Sequence, residues 1–469
     1  MKKLGELYDG FENTEIKDIK INSKECEPGD LFVCTMGVTA DRHQYAVEAF
    51  NNGAVAFVAS KEIPVDAPTI YVADTNKELP LLCSRFYDHP ENKLKLIGVT
   101  GTNGKTTVAS IIQDLMGNEL CGYMGTNGII CSQFNEKIKN TTPDADRLYK
   151  YFNRFVEAGC KYVSIETSSE AFYRHRLDNI KFQVGILTNI TRDHLNIHGT
   201  LENYIECKKE LFKQVDDNGY SILNIEDKHF VEINKIAKGT VLTYGRGLAD
   251  LQIKQVEEFV DKTKITLKYK METYEIESPL LGEFNVYNLC AAVLALIALG
   301  FDIKKILARV NCIQVPAGRF QFLNYGQNYN IVLDYAHTPD AFNNIYKALN
   351  KIKKGRIITV TGSAGGREHE KRPEMGKIVL ENSDYVIFTM DDPRNEDVNS
   401  IIDDLVKTSD KTNYEKVIDR KEAIFKALSI AREDDIVLVA GKGVDNYMAI
   451  GDQYLPYCDL EVIEEYFKM

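Results

Sequence analysis

One stretch constrains the fold of this chain more than any other: LIGVTGTNGKTTVASII, residues 96–112. It begins with a near-continuous apolar run, which is typical of a strand buried in a parallel sheet. A glycine-rich turn follows, and then apolar residues recur at helical spacing. Glycines let backbone N–H groups close around phosphate oxygens, and the start of a helix adds partial positive charge. The stretch therefore predicts a phosphate-binding loop in an α/β domain.

The side chains of this loop suit a nucleotide with Mg²⁺. Lys105 would place a point charge near the β- and γ-phosphates, and the Thr106 hydroxyl would bind Mg²⁺. The strict GxxxxGK[ST] spacing is not met, because Val99 stands where the first glycine should be. An ordinary strand-to-helix turn is the alternative. The predicted ATP-binding residues of the loop are Gly101, Thr102, Asn103, Gly104, Lys105, Thr106 and Thr107.

The pattern of apolar runs and turn residues predicts three α/β domains. Residues 1–94 carry short strand-like runs separated by turn residues, and residues 95–316 alternate strands with helices in the pattern of a parallel sheet. Within that second segment, residues 250–278 resemble a small antiparallel insertion. A third α/β segment, residues 317–469, follows a PAG linker and has a Rossmann-like alternation of apolar strands and helices.

Composition limits the partners and the compartment. The net charge is −12, so no overall basic field would attract nucleic acid or a membrane surface. The ten cysteines are scattered without a CxxC pair, as suits a reducing cytoplasm. The N-terminus lacks the apolar core of a signal peptide, and the apolar stretches are too short to span a membrane. We expect a cytoplasmic monomer with small-molecule substrates.

The GTNGKTT form of the loop resembles the Mur ligase superfamily, which also includes folylpolyglutamate synthases. The resemblance implies an ATP- and Mg²⁺-dependent ligase in which ATP phosphorylates a carboxylate. The amine of an amino acid then attacks the acyl phosphate to form an amide. No side chain need act as a nucleophile in this chemistry.

The resemblance also implies a set of metal-binding residues. Glu166 ends the run KYVSIE, and His194 follows the run VGILTN. Lys208, in a Tyr204-xxx-Lys208 spacing, matches a lysine that is carbamylated in the family, although Lys209 is an adjacent alternative. Alone, Lys208 is more often a solvated helix lysine and Glu166 is about as often a capped or salt-bridged surface residue, so the prediction rests on the order of the series. The implied metal ligands are Thr106, Glu166, His194 and carbamylated Lys208, and the implied catalytic residues are Lys105, Glu166, His194, Lys208 and Arg319.

Other motifs extend the nucleotide site. Asn285 and Asn288 stand three residues apart at the start of a predicted helix, where amides can read adenine or, alternatively, cap the helix. Arg319 follows the linker and is placed to stabilise a transferring phosphoryl group. The resemblance adds Asp334 and His337 of the element DYAHTP as ATP-binding residues, although a capped strand-to-helix turn explains this element as well.

The N-terminal segment resembles the branch of the family that acts on UDP-N-acetylmuramoyl-L-alanyl-D-glutamate. Folylpolyglutamate synthases lack this segment, so peptidoglycan precursor synthesis is the preferred pathway. Asn22-Ser23-Lys24 stands where that branch usually has Asp-Ser-Arg. The residues implied to hold this UDP-linked substrate are Ser23, Thr39, Asp41, His43, Thr141, Thr142, Ser168, Ser169, Arg174, Arg176 and Lys208.

The amino acid is predicted to bind in the third segment, where two motifs disagree about its identity. MDDPRNED keeps Arg394, which in the family pairs with the second carboxylate of meso-diaminopimelate. Asp392 and Asp445, however, stand where diaminopimelate enzymes usually have Asn and Glu, closer to the lysine-adding type. Arg394 favours meso-diaminopimelate slightly over L-lysine. The implied amino-acid-binding residues are Arg367, Asp391, Asp392, Arg394, Gly441 and Asp445.

Three other functions remain open on the sequence alone. A ligase similar to folylpolyglutamate synthase would share the phosphate loop and the metal series. A P-loop kinase or GTPase would transfer phosphate to a stable product, although the guanine-reading motif NKxD is not evident. A nucleotide-binding protein without catalysis would not need the ordered series Lys105, Glu166, His194 and Lys208.

Overall fold

The structure is a computed structural model that describes residues 1–11, 14–37, 40–138 and 140–469. Thr39, a predicted substrate residue, lies outside the described residues. The first segment folds around a parallel sheet with strand order β3-β4-β5-β6, beside the antiparallel pair β1–β2. Its elements are β1 (Lys2–Lys3), α1 (Leu4–Leu7), β2 (Glu15–Ile16), β3 (Ile19–Lys20), β4 (Leu31–Val33), α2 (Ala46–Asn51), β5 (Ala56–Ala59), β6 (Thr69–Tyr71) and α3 (Thr75–Phe86), with 3-10 turns at Ser23–Glu25, Arg42–Tyr45 and Pro90–Lys93.

The second segment is built on a large sheet that is parallel in its middle and antiparallel at both edges. Its strand order is β10-β9-β8-β11-β7-β12-β13-β14-β15-β16-β17, and the pairs from β8 to β15 are parallel. The elements are β7 (Lys95–Thr100), α4 (Lys105–Met116), β8 (Cys121–Gly125), β9 (Gly128–Ile130), β10 (Asn135–Glu136), α5 (Ala145–Glu157), β11 (Tyr162–Glu166), α6 (Ser169–Tyr173), β12 (Phe182–Leu187), α7 (Leu195–His198), α8 (Leu201–Lys213), β13 (Val215–Asn224), α9 (Phe230–Asn234), β14 (Thr240–Gly245), β15 (Leu251–Glu258), β16 (Thr263–Tyr269), β17 (Glu272–Ser278), α10 (Glu283–Ala298) and α11 (Ile303–Leu307), followed by a 3-10 turn at Val310–Cys312.

The predicted antiparallel insertion is confirmed, since β15, β16 and β17 pair antiparallel at the edge of the sheet. The middle strands are apolar because both faces are covered. On one face, α4 and α10 pack together over the sheet and bury Ile111, Leu289 and Val293. The carboxyl ends of β7, β11, β12 and β13 meet at one edge, which is where ligands bind in sheets of this kind.

The third segment is a parallel sheet with helices on both faces and one antiparallel edge strand, in the order β18-β19-β23-β20-β21-β22. Phe342, Val379 and Ile402 pack on one face, whereas Ile424 and Ile463 pack on the other. Its elements are β18 (Gln321–Leu323), β19 (Asn330–Asp334), α12 (Pro339–Ile352), β20 (Ile357–Thr361), α13 (Arg372–Asn382), β21 (Tyr385–Phe388), α14 (Val398–Val406), β22 (Tyr414–Lys416), α15 (Arg420–Ile430), β23 (Ile436–Ala440), β24 (Tyr447–Ile450), β25 (Gln453–Pro456) and α16 (Asp459–Lys468), with a 3-10 turn at His369–Lys371.

The expectation of three α/β units with parallel sheets is therefore confirmed. Over the described ranges, no helix is both long enough and apolar enough to cross a membrane.

Candidate active site

A cavity of about 780 Å³ lies where the edge of the second sheet faces the third segment. Most of the predicted site residues line it. From the second segment these are Thr102, Asn103, Gly104, Lys105, Thr106, Thr107, Thr141, Thr142, Glu166, Ser168, Ser169, Arg176, His194, Lys208, Asn285 and Asn288. From the linker and the third segment they are Arg319, Asp334, His337, Arg367, Asp391, Asp392, Arg394, Gly441 and Asp445.

The phosphate loop has the local geometry that its glycines permit. Gly104 has φ +87° and directly precedes α4, and a side-chain carbon there would stand 3.3 Å from Cγ of Asn288, so this position requires glycine. The Lys105 ammonium donates to the carbonyl oxygens of Gly101 and Thr102, both at 2.9 Å. Burial lowers the pKa of Lys105, and nearby Glu166 opposes that shift. The loop thus holds a half-buried cation at the start of a helix.

Glu166 lies at the carboxyl end of β11 and is fully buried. The Thr106 hydroxyl donates to its Oε2 at 2.9 Å. Arg319, from beyond the linker, in turn donates to the Thr106 hydroxyl at 3.1 Å, and its guanidinium lies 4.5 Å from the centre of the Tyr335 ring. A carboxylate, a hydroxyl and a guanidinium therefore converge on the end of the phosphate loop.

Lys208 on α8 is 1% exposed, and its ammonium donates to the Gly101 carbonyl oxygen at 2.7 Å. It lies over the Tyr204 ring at 4.5 Å, and the Tyr204 hydroxyl is 2.9 Å from the Thr102 hydroxyl. Burial holds the pKa of Lys208 well below its usual value, and the charge of Lys105 acts in the same direction. Such a site favours the neutral amine, which is the form of lysine that reacts with CO₂.

His194 precedes α7 in the left-handed region at φ +56°, an uncommon backbone conformation for a residue other than glycine. Burial lowers the pKa of His194 to about 4, although Asp193 opposes this, so the imidazole is neutral at pH 7. Asp193 is itself buried, 3.4 Å from Nζ of Lys371 and 3.7 Å from Nε2 of His337. Two residues of the third segment thus meet the loop that carries His194.

The predicted adenine readers lie together on α10. The Asn288 amide donates to Oδ1 of Asn285 at 2.9 Å, and the Asn285 amide donates to the carbonyl oxygen of Leu281 at 2.8 Å. Asp334 is a predicted ATP-binding residue, but both of its carboxylate oxygens already accept hydrogen bonds from backbone N–H groups. The donors are Phe320 and Ala336, each at 2.6 Å. Asp334 therefore fixes the chain that carries Arg319.

Polar side chains beside Glu166 form another wall of the cavity. The Thr142 hydroxyl donates to the Glu166 carbonyl oxygen at 2.7 Å, and Arg176 donates to the Thr142 carbonyl oxygen at 3.0 Å. The Ser169 hydroxyl is 3.0 Å from Nε2 of His198. Arg174, by contrast, does not line the cavity, and its guanidinium donates to Glu170 at 2.7 Å.

The third segment supplies a wall of mixed charge. The Arg394 backbone donates to the carbonyl oxygen of Ala449 on β24 at 3.0 Å, and its side chain donates to the Gly365 carbonyl oxygen. Oδ1 of Asp392 accepts from the buried Lys442 ammonium at 2.8 Å. Burial raises the pKa of Asp445 to about 6, although Lys442 opposes the shift. The Arg394 guanidinium and these carboxylates thus line the same cavity.

The structure keeps the predicted N-terminal residues apart from this cavity. Ser23 donates to Glu48 at 2.5 Å, Asp41 accepts from the backbone of His43 at 3.0 Å, and the His43 ring accepts from the Ser60 backbone at 3.0 Å. Gly101 does not line the cavity, but its carbonyl oxygen accepts hydrogen bonds from the Lys105 and Lys208 ammonium groups.

Sequence reasoning missed several residues that shape the site. Thr126 lines the cavity and its backbone N–H donates to Glu166 at 2.9 Å, whereas Tyr123 donates to the same carboxylate from behind. Asp193 also faces the cavity. Asp193 could have been found, because it directly precedes the predicted ligand His194.

Family models match most of the chain. The model described as Mur ligase middle domain matches residues 99–296, the glutamate ligase domain of Mur ligases matches residues 318–443, and the Mur ligase family catalytic domain matches residues 15–87.

Curated relatives match nearly the full length. The UDP-N-acetylmuramoyl-L-alanyl-D-glutamate–2,6-diaminopimelate ligase of Bacillus cereus is 38% identical, with 97% of this chain and 94% of the relative covered. The ligase of the same name from Clostridium botulinum is 36% identical, with 97% and 95% covered.

Solved structures agree in fold. A structure titled with the same ligase name is 29% identical, with a TM-score of 0.68 over 100% of this chain and 99% of the other. MurF ligase from Thermotoga maritima in complex with ADP is 20% identical, with a TM-score of 0.71 over 100% and 98%, so it supports the fold alone. The curated relatives, which match over nearly the full length, show that the chain belongs to the Mur ligase family.

Proposed function

We propose that this chain is an ATP-dependent ligase that joins a diamino acid, meso-diaminopimelate, to UDP-N-acetylmuramoyl-L-alanyl-D-glutamate in peptidoglycan precursor synthesis. The observation that carries the proposal is the shared cavity. The phosphate loop, Glu166, Lys208 and the Arg394 wall all line it, so a nucleotide, a carboxylate and an amino acid can meet there. The curated relatives that match nearly the whole chain carry the name of this reaction.

The donor set fits Mg²⁺ bound together with ATP. Over the described residues, no cluster of three or more His, Cys, Asp or Glu side chains could enclose a metal ion. Mg²⁺ does not need such a cage, since it prefers oxygen ligands and usually combines one or two carboxylates with phosphates and water. Thr106 and Glu166 supply such oxygens, with His194 nearby in its neutral form. When bound, Mg²⁺ neutralises the negative charge of phosphate and carboxylate groups.

Lys208 is proposed to act as a carbamate. The ammonium would first lose a proton; the neutral amine would then attack CO₂ and lose a second proton, which replaces a buried cation with a carboxylate-like anion. That change would add an anionic oxygen group to the cavity that Thr106 and Glu166 also line. It also removes the repulsion between Lys208 and Lys105, which lowers the pKa of Lys208.

The chemistry then needs no nucleophilic side chain. A γ-carboxylate oxygen of the D-glutamyl residue attacks the γ-phosphorus of ATP, the bond to the bridging oxygen breaks, and ADP leaves. Lys105 and Arg319 stabilise the charge on the transferring group. The amine of the amino acid then attacks the acyl carbon, loses a proton and expels inorganic phosphate, which leaves an amide. Positioning of the three substrates supplies most of the catalysis.

The segments are proposed to divide the substrates. We assign the UDP-linked end to residues 1–94, with Ser23, Asp41 and His43 near it, the nucleotide to residues 95–316, and the amino acid to residues 317–469. Thr142, Ser169 and Arg176 are assigned to the peptide part of the muramoyl substrate. The chain is also proposed to act as a monomer in the cytoplasm, a reducing compartment that suits its ten scattered cysteines.

The identity of the amino acid rests on Arg394. meso-Diaminopimelate differs from L-lysine by a second carboxylate, which a guanidinium can bind through two hydrogen bonds. L-Lysine is a second candidate, because the carboxylates of Asp391, Asp392 and Asp445 line the same wall and suit a distal ammonium group. The relatives named above favour meso-diaminopimelate.

Phosphate release from ATP tests the proposal. Purified protein is incubated with ATP, Mg²⁺ and UDP-N-acetylmuramoyl-L-alanyl-D-glutamate, with meso-diaminopimelate, with L-lysine or with neither, and the product is identified by mass spectrometry. We expect release and an amide product with meso-diaminopimelate, and a loss of both in Glu166→Gln. Release that does not depend on an amino acid, with a stable phosphorylated product, would refute the ligase in favour of a kinase.

A further inference from the structure

A tyrosine lies directly behind the carboxylate at the centre of the site. Tyr123 is on β8, which pairs in parallel with β11, and it is 1% exposed. Its hydroxyl donates to Oε1 of Glu166 at 2.5 Å and accepts from the backbone N–H of Asn127 at 3.2 Å. A tyrosine hydroxyl carries one proton to donate, and Glu166 Oε1 is the acceptor within reach.

The donors to Glu166 are sorted between its two oxygens. Oε1 receives the Tyr123 hydroxyl and the backbone N–H of Thr126 at 2.9 Å. Oε2 receives two hydroxyls, from Thr106 at 2.9 Å and Thr126 at 3.3 Å. Thr106, Thr126 and Glu166 line the cavity, whereas Tyr123 stands outside the residues that line it. Tyr123 therefore holds the carboxylate from the sheet side, and Oε2 belongs to the side that carries the phosphate loop.

The space around this pair is filled. A side-chain carbon at Gly125 would stand 2.6 Å from Cδ of Glu166 and 2.6 Å from the Tyr123 hydroxyl, closer than such atoms approach. Glycine at position 125 therefore leaves the room that the Glu166 carboxylate and the Tyr123 hydroxyl occupy.

We infer that Tyr123 is a positioning residue that fixes the Glu166 carboxylate with Oε2 directed at Thr106, and that it thereby sets the affinity of the nucleotide site for a divalent cation. The inference rests on the proposed function, because it assumes that Glu166 and Thr106 hold the cation that accompanies the nucleotide. Partners that orient a metal-binding side chain typically affect metal affinity by about 10- to 100-fold.

Binding of Mn²⁺ in the presence of ADP, followed by electron paramagnetic resonance, tests the inference without turnover. Tyr123→Phe keeps the ring and removes only the hydroxyl, and we expect it to weaken Mn²⁺ binding by about 10-fold. The affinity for ADP without metal should stay unchanged. Tyr346→Phe is the matched control, because the Tyr346 hydroxyl is also buried and bonded, to Thr359 at 2.9 Å and Ser383 at 2.8 Å, in the core of the third segment. It should leave Mn²⁺ binding unchanged.

A double-mutant cycle shows whether Tyr123 acts through Glu166. In a Glu166→Gln background, Tyr123→Phe should cause no further loss of Mn²⁺ affinity. Gly125→Ala is the second variant, since its methyl group would displace the flexible carboxylate, and it should weaken Mn²⁺ binding even if Tyr123→Phe does not fold. The inference is overturned if Tyr123→Phe binds Mn²⁺ as tightly as the wild type does. If Tyr123→Phe does not fold, the same result for Gly125→Ala overturns it. A loss of Mn²⁺ affinity in Tyr346→Phe as large as that in Tyr123→Phe also overturns it. A wild type that binds no Mn²⁺ with ADP would instead overturn the proposed function.

Discussion

Replacing Arg394 with alanine isolates the group proposed to choose the amino acid. Arg394 has φ +50°, and its backbone is held by two bonds that do not involve the side chain: its N–H donates to Ala449 at 3.0 Å, and its carbonyl oxygen accepts from Gly451 at 2.8 Å. Alanine keeps both bonds, so the loop should stay docked on the hairpin of β24 and β25. What disappears is the guanidinium that lines the cavity.

The size of the effect follows from the charge on the substrate. Hydrogen bonds between charged groups contribute about 1.5–3 kcal/mol, and a guanidinium can make two parallel bonds to one carboxylate. Since about 1.4 kcal/mol corresponds to a tenfold change, KM for meso-diaminopimelate should rise by about 10- to 150-fold. The Asp391, Asp392 and Asp445 carboxylates add to the loss, because without Arg394 they would repel the distal carboxylate.

Steady-state kinetics with two amino acids provides the assay. L-Lysine lacks the distal carboxylate, so its KM should stay the same or fall in Arg394→Ala, and KM for ATP should be unchanged. The preference for meso-diaminopimelate over L-lysine should therefore shrink by at least the factor by which KM for meso-diaminopimelate rises. If that preference is the same in the variant as in the wild type, Arg394 does not read the second carboxylate and the reason for choosing meso-diaminopimelate fails.

Three further predictions concern buried charges. Lys208→Ala should lower kcat about 100-fold or more while ADP still binds, and short carboxylic acids should restore part of the activity, because they replace the carbamate. Burial raises the pKa of Asp146 to about 7, so Asp146 binds a proton more tightly in the folded protein than in the unfolded chain. The folded protein therefore loses stability as the pH rises from about 4 to 7. Asp146→Asn should therefore raise the free energy of unfolding at pH 8 by about 2–4 kcal/mol and change it little at pH 4, as measured by urea denaturation; an equal effect at both pH values would contradict this reasoning. Asp459→Asn should lower the free energy of unfolding by about 3–5 kcal/mol, measured by calorimetry. The buried Arg420 donates to the Asp459 carboxylate at 2.7 and 2.8 Å and would lose this charged partner. A variant as stable as the wild type would argue against the importance of that pair.

The phosphate loop could be predicted from sequence because its determinants are local. The strand, the glycines and the helix are contiguous, and each imposes its conformation on a few neighbouring residues. The same holds for the strands of the third segment, whose apolar runs are bounded by turn residues. Glu166 and His194 could be placed at one edge because the ends of parallel strands meet there.

Residues that act through tertiary contacts could not be found in this way. Tyr123 lies 43 positions before Glu166 and reaches it only because β8 and β11 are neighbours in the sheet. In the sequence, Tyr123 is one aromatic residue in an apolar strand, with no sign that its hydroxyl has a charged partner. Asp334 shows the converse, since its motif suggested a ligand whereas backbone N–H groups occupy its oxygens.

The contacts that bring the third segment to the phosphate loop also indicate how the site opens. Arg192 pairs with the buried Glu368 at 2.6 Å and with Glu370. The side chains of Arg192 and Glu370 are 46% and 77% exposed, so the Arg192–Glu370 pair contributes little net stability. Asn103 donates to Asp340 at 2.9 Å, and Arg319 donates to Thr106 at 3.1 Å, and both bonds involve groups that a nucleotide would contact. The interface also contains less exposed contacts, from Lys371 and His337 to the buried Asp193. We therefore expect nucleotide binding to change the strength of the interface through Asn103 and Arg319, while the Asp193 contacts persist.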